Sequence, residues 1–263
     1  MKLKAARRIV QLASIALLIA IPVLNKQGID IIMGSLYSLA IGPVWITDPL
    51  SGLQAIITIL SADTTLIISI SIPILFTLIF GRVFCSWMCP QNLLSEVADY
   101  FSQKVPLKRF IKLSPNPLPR YAVLAIVLVL TLLADFPVAN LISAPGIISV
   151  QVSEYIFTGM VGIEIALIAA ILVFEIFVIR RAWCNYICPV GGFLGIFRTP
   201  KTMNVAFENT GDRCIKCGEC VKSCQLGLNP MGGKIYPICH NCGDCIAACG
   251  RATGKDRPLK FKF

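Results

Sequence analysis

Cys214-Ile-Lys-Cys-Gly-Glu-Cys-Val-Lys-Ser-Cys224 and Cys239-His-Asn-Cys-Gly-Asp-Cys-Ile-Ala-Ala-Cys249 share one spacing, C-x2-C-x2-C-x3-C. Three thiolates set three residues apart wrap one side of a cubane iron–sulfur core, and the fourth cysteine of each run ligates the other cluster. The spacing therefore predicts Cys214, Cys217, Cys220 and Cys249 around one [4Fe–4S] cluster, and Cys239, Cys242, Cys245 and Cys224 around a second. Gly218 and Gly243 allow a tight turn that brings backbone N–H groups toward the sulfurs. Structural zinc uses two cysteine pairs per site and has no need of the third and fourth cysteines at this spacing. So many neighbouring thiols in one loop are also poorly suited to specific disulfides.

Two adjacent runs of this kind resemble a bacterial dicluster ferredoxin module. The resemblance implies an α+β fold over roughly 199–263. One departure is that Gln225 and Gly250 replace the proline that usually follows each fourth cysteine, which bears on how dry the clusters are and hence on their potentials.

The rest of the chain is of another kind. Hydrophobic residues make up 56% of the 263, charged residues only 14%, and mean hydropathy is +0.76, which points to a membrane protein. The net charge of +10 sits in short flanks around apolar runs with no recognition module, so topology explains it better than nucleic-acid binding. The single histidine, His240, lies between two ligand cysteines and reads as a surface donor. With no other histidine, a membrane haem b is excluded, and electrons must travel by clusters, thiols or an organic carrier.

Residues 1–198 read as four transmembrane helices: Ile9–Leu24, Thr64–Val83, Tyr121–Leu141 and Gly159–Ile179. The first follows a cationic start, but no small-residue cleavage site follows, so it reads as a span and not as a signal peptide. Gly28–Asp63, broken by Gly34, Gly42-Pro43 and Asp48-Pro49, reads as an interfacial or re-entrant segment, and Ile142–Phe157 as a second irregular one. Pro90 opens an amphipathic stretch, Leu93, Leu94, Val97 and Phe101 against Gln91, Glu96 and Asp99, that suits a helix lying in the interface. A basic linker through Lys104, Lys108, Arg109 and Lys112 reads as a loop. Four spans put every Lys and Arg except Lys26 on one side, so both termini and the cluster module are expected in the cytoplasm.

Spans two and four end alike. Arg82-Val-Phe-Cys-Ser-Trp-Met-Cys-Pro90 aligns with Arg181-Ala-Trp-Cys-Asn-Tyr-Ile-Cys-Pro189. This predicts two parallel repeats related by an axis along the membrane normal, with both C-x3-C-P elements at one depth. The i, i+4 spacing places Cys85 with Cys89, and Cys184 with Cys188, on one helical face. Pro90 and Pro189 suit the first position of a following helix, whose dipole would lower the pKa of Cys89 and Cys188. Four such thiols could hold an additional metal or cluster, form redox-active disulfides, or be buried structural groups. Trp87, Trp183 and Tyr186 fit either an interfacial aromatic belt or the wall of a quinone pocket, with Arg82 and Arg181 as hydrogen-bond donors. Glu175, an acid within a span, could accept a quinol proton.

Taken together, four spans, paired C-x3-C-P elements and a C-terminal dicluster module resemble the NapH-type membrane ferredoxins, quinol dehydrogenase subunits of periplasmic nitrate reductase systems. The MauN proteins and the membrane half of NosR are similar. The resemblance implies a multi-pass protein of a bacterial or archaeal cytoplasmic membrane that oxidises quinol and delivers electrons to a ferredoxin-type or cytochrome partner. The competing expectation is a redox-dependent assembly factor for another membrane metalloenzyme.

Overall fold

A computed structural model describes residues 2–28, 32–35, 38–59, 63–104, 115–208, 214–232, 235–254 and 258–263. The chain is mostly helical. Helix α1 (Lys2–Lys26) is, among the described residues, the one helix long and apolar enough to cross a membrane unaided. It is followed by an antiparallel meander, β1 (Ile32–Ser35), β2 (Ser38–Ile41) and β3 (Val44–Thr47), and then by α2 (Pro49–Ile59). The segment expected as re-entrant is thus a small sheet and a short helix. Gly42, at positive φ, sits in the turn between β2 and β3.

Helices α3 (Thr64–Phe80), α6 (Leu118–Ala134) and α9 (Glu164–Phe177) fall where the later spans were expected but are shorter. At 1.5 Å per residue they run roughly 26, 26 and 21 Å, against a hydrocarbon core of about 30 Å. The chain breaks each one early. Gly81 (φ 70°) ends α3, Asp135 (φ 48°) ends α6, and α9 begins at Glu164, after the turn at Gly159. Their outward residues, such as Ile68 and Leu75 on α3 and Leu132 and Leu133 on α6, are exposed apolar side chains.

The expected irregular segment at 142–157 is instead a regular helix, α8 (Ala144–Thr158), preceded by the single turn α7 (Ala139–Ile142). Pro145 is tolerated because it sits in the first turn, where its missing N–H has no intrahelical partner. The first six residues of α8 are all buried, and α2 likewise buries Pro49, Leu50 and Gly52 at its start.

A repeat emerges at the level of elements. A long helix, a half-helix with a buried start, an apolar helix, a C-x3-C turn and a proline-led helix occur in that order twice. In the first copy these are α1, α2, α3, α4 (Val83–Trp87) and α5 (Pro90–Lys104); in the second, α6, α8, α9, a wide turn at Trp183–Ile187 and α10 (Pro189–Ile196). The copies interlock: α1 packs on α8, α6 on α2, and α5 on α9.

Helix α5 corrects the sequence expectation about its faces. Its polar residues Gln91, Asn92, Ser95, Glu96, Asp99 and Ser102 are buried in protein, while Val97, Tyr100 and Phe101 are exposed. The reason is electrostatic: arginines arriving from α1 and from the end of α9 need buried acids, and Glu96 and Asp99 provide them. The basic linker at Lys108, Arg109 and Lys112 lies outside the described residues.

At the C-terminal end, β4 (Asn204–Phe207) pairs antiparallel with β5 (Leu259–Lys262) and closes the module on itself. Between them lie α11 (Glu219–Lys222) and α12 (Asp244–Thr253), packed together. Each is preceded by a left-handed glycine, Gly218 (φ 73°) or Gly243 (φ 77°), within its cysteine run.

Candidate iron–sulfur sites and the helix junction beneath them

The module encloses two cysteine-lined cavities. One is bordered by Cys224, Cys239, Cys242 and Cys245, and the other by Cys214, Cys217, Cys220 and Cys249. Each therefore joins three cysteines of one run to the last cysteine of the other. Apolar walls surround both: Val205, Leu226, Leu228 and Ile235 on the first, Phe207, Met231 and Leu259 on the second. Among the described residues, no three His, Cys, Asp or Glu side chains come close enough to share a single metal ion. Each set instead brings four thiols to one pocket, the donor number that a [4Fe–4S] group takes.

The donor chemistry also fits an iron–sulfur group. Burial, and after it the Asp244 carboxylate, pushes the Cys242 thiol well above its ordinary value, and burial does the same to Cys239. Bare thiolates are costly there, whereas bound metal deprotonates a coordinating thiol outright. Backbone N–H groups already approach sulfur, as where Leu228 N donates to Cys224 Sγ at 3.3 Å.

The cavity holding Cys224, Cys239, Cys242 and Cys245 is proximal, docked on the ends of the helices. Arg82 Nη1 donates to the carbonyls of Ile238 (3.0 Å) and Pro237 (3.3 Å), and Ser86 Oγ to that of His240 (2.7 Å). Trp87 Nε1 reaches Asn241 O at 3.4 Å, and Asn241 Nδ2 returns a bond to Phe80 O at 3.0 Å. Arg198 donates to Cys239 O at 2.7 Å, and Arg180 to Cys224 O at 3.2 Å. Apart from Phe80 O, each of these carbonyls belongs to a cysteine lining the cavity or to a near neighbour of one. The second cavity lies away from this junction and is distal.

Comparison with known proteins gives a consistent result. The sequence family described as a 4Fe-4S binding domain matches residues 62–108 and again 161–201, the two copies of the repeat. The methylamine utilization ferredoxin-type protein MauN of Methylobacillus flagellatus is 30% identical over 188 residues, 71% of this chain and 64% of that protein. The ferredoxin-type protein NapH of Escherichia coli is 28% identical over 188 residues, covering 71% and 63%. NapH of Haemophilus influenzae is 24% identical over 262 residues, covering 98% and 88%. The chain is a homologue of the ferredoxin-type proteins MauN and NapH. It spans just under two thirds of the length of the first and second of these relatives. No solved structure matches it.

The two C-x3-C elements close on the same kind of link. Cys89 N bonds to Phe84 O at 3.1 Å and Cys188 N to Trp183 O at 2.8 Å, i→i+5 in each. The expected helical register holds through Val83–Trp87, where Met88 N also bonds to Phe84 O at 3.0 Å, and is replaced at Trp183–Ile187 by a π-type turn, a feature frequent at functional sites. Pro90 and Pro189 do open helices, and Cys188 caps its own, Sγ accepting from Gly191 N at 3.4 Å. The expected lowering of the thiol pKa does not follow. Burial, then the Cys85 thiol, pushes Cys188 up to about 11, and burial also raises Cys89. Desolvation outweighs one amide bond.

Cys85 and Cys188, from different repeats, pack against one apolar cluster with Leu50, Val127 and Phe193. Cys184 instead packs against the core of the ferredoxin module. Glu175 is buried and accepts from Trp183 N at 3.1 Å. Trp183 itself is buried between α8 and α9, and Trp87 and Tyr186 are partly exposed. Arg82 and Arg181 are both buried, the latter donating to Asp99 Oδ2 (3.0 Å) and to Asn92 (2.9 Å).

His240 overturns its expected surface position. It is 3% exposed, lines the proximal cavity, and is held well below the usual imidazole range by burial and then by the Arg82, Arg181 and Arg7 guanidinium charges. Sequence reasoning also missed a buried hub at Glu96, which receives Arg7, Arg8, Gln11, Asn92 and Gln225. Its one visible signal was Gln225 standing where proline is usual: the amide reaches Glu96 at 3.1 Å and Asp244 at 2.6 Å.

Proposed function

We propose that this protein is an integral-membrane electron-transfer subunit that oxidises quinol and passes the electrons through two [4Fe–4S] sites to a ferredoxin-type or cytochrome partner. The observation carrying this reading is the docking of the proximal cysteine cavity on the helix ends through Arg82, Ser86 and Trp87. A lipid-soluble donor held among the helices is thereby placed beside a one-electron site. Quinol oxidation releases two electrons and two protons, and two cluster sites divide that pair into single steps. When bound, each cluster supplies a one-electron carrier.

In this reading α1, α3, α6 and α9 span the bilayer as four transmembrane helices, their exposed apolar residues facing lipid. The N-terminus and both cluster sites then lie on the cytoplasmic side, a reading supported by the Lys and Arg distribution and by the pairing of Arg7 near the start of α1 with Asp244 of the module at 3.1 Å. Glu175 accepts a quinol proton. Trp87, Trp183 and Tyr186 frame the ring, while Arg82 and Arg181 hold that wall in place. Cys85, Cys89, Cys184 and Cys188 hold a further iron centre between quinol and the proximal site. Support for this comes from their matched positions in the two repeats, the i→i+5 link that closes each element, and the 4Fe-4S family match over residues 62–108 and 161–201.

The test is an anaerobic titration of the purified protein with reduced quinol, followed by electron paramagnetic resonance. Reduced-cluster signals are expected. Clusters that dithionite reduces and a range of quinols does not would sink the proposal.

A further inference from the structure

His240 is buried, yet neither ring nitrogen finds a hydrogen-bond partner among the described residues. Its backbone is fixed, since its carbonyl accepts from Ser86 Oγ at 2.7 Å, and the residue is among those lining the cavity bordered by Cys224, Cys239, Cys242 and Cys245. A buried polar group without a partner is destabilising, so such a group points to something that completes it. An imidazole ring carries an N–H donor in either protonation state. The remaining wall of the cavity is apolar apart from the thiols and Gln225, whose amide nitrogen is already engaged by Glu96 and Asp244.

We infer that His240 donates an N–H hydrogen bond to the sulfur of the group bound by Cys224, Cys239, Cys242 and Cys245, and thereby sets its potential above that of the distal site. The inference rests on the two-cluster reading above. A donor to a cluster sulfur favours the reduced, more negative state, so it raises the reduction potential. The distal cavity has no histidine in its wall. The asymmetry therefore gives electrons from the membrane a defined first stop.

The experiment uses the full-length protein in detergent, as wild type and as His240→Leu, His240→Asn and His240→Gln. Iron and sulfide are counted first, and a wild type without eight irons in the module sites would refute the cluster reading itself. With clusters present, His240→Leu should change the oxidised-to-reduced ratio of one cluster at least tenfold toward oxidised, a shift of 59 mV for one electron. The second cluster should not move. His240→Asn or His240→Gln, which keep an N–H donor, should recover part of the shift. Pulsed resonance in deuterated buffer should show one exchangeable proton coupling in the wild type that is absent in His240→Leu. Unchanged potentials in His240→Leu, or loss of the proximal cluster in all three variants, would overturn the assignment. The first result would mean no hydrogen bond, the second a ligand or packing role.

Discussion

Arg82 and Arg181 hold equivalent places in the two copies of the repeat, yet they face different ways. Arg82 reaches out of its copy to the carbonyls of Pro237 and Ile238, while Arg181 turns across the repeat axis to Asp99 and Asn92. One duplicated arginine therefore fastens the module and the other fastens the two helical repeats to each other. The duplication supplied the side chain, and the single ferredoxin module broke the symmetry.

Replacing Arg82 by Gln should loosen the module without removing its ligands. Two buried carbonyls lose a charged donor, at about 1–3 kcal/mol in all. A lowered thermal midpoint and faster proteolysis within 199–263 are expected, with iron content unchanged. Lys should rescue poorly, since it lacks the planar fork that serves both acceptors.

Glu96→Ala should be more damaging than any surface charge change. Arg7, 1% exposed, would keep its charge with one acid fewer nearby. Breaking a buried pair from one side costs about 3–5 kcal/mol. Chemical denaturation should show that loss. A cost under about 1 kcal/mol would mean that Asp244 alone satisfies the cation.

Gly243→Ala and Gly218→Ala form a matched pair. Both glycines sit at positive φ, so either alanine carries backbone strain of about 1 kcal/mol or more. At Gly218 an added methyl meets open space, whereas at Gly243 it would press on the end of the Leu3 side chain of α1, which must shift to admit it. Gly243→Ala should therefore lose more stability, by roughly a further 1 kcal/mol. Equal thermal midpoints for the two variants would argue against α1 packing on the module.

Iron stoichiometry separates the three cysteine sets. Cys214→Ser should deplete the distal site alone and Cys239→Ser the proximal one alone, each leaving a distinct spectrum. Cys184→Ser should lower iron below the wild type while both module signals persist. Full iron in Cys184→Ser, with quinol-linked reduction abolished, would mean that the junction thiols act without metal.

The sequence by itself determined the cysteine sets, the prolines that open α5 and α10, and the duplicated junction. These follow from ligand spacing, a fixed φ and a repeated string, all local properties of the chain. Tertiary structure alone decided which cavity meets the helices, why α5 turns its polar face inward, and why His240 is buried. The physical reason is that each depends on desolvating groups far apart in sequence. Arg7 and Asp244, or Ser86 and His240, become neighbours only when the helices and the module close on one another, and no spacing rule records that cost or its compensation.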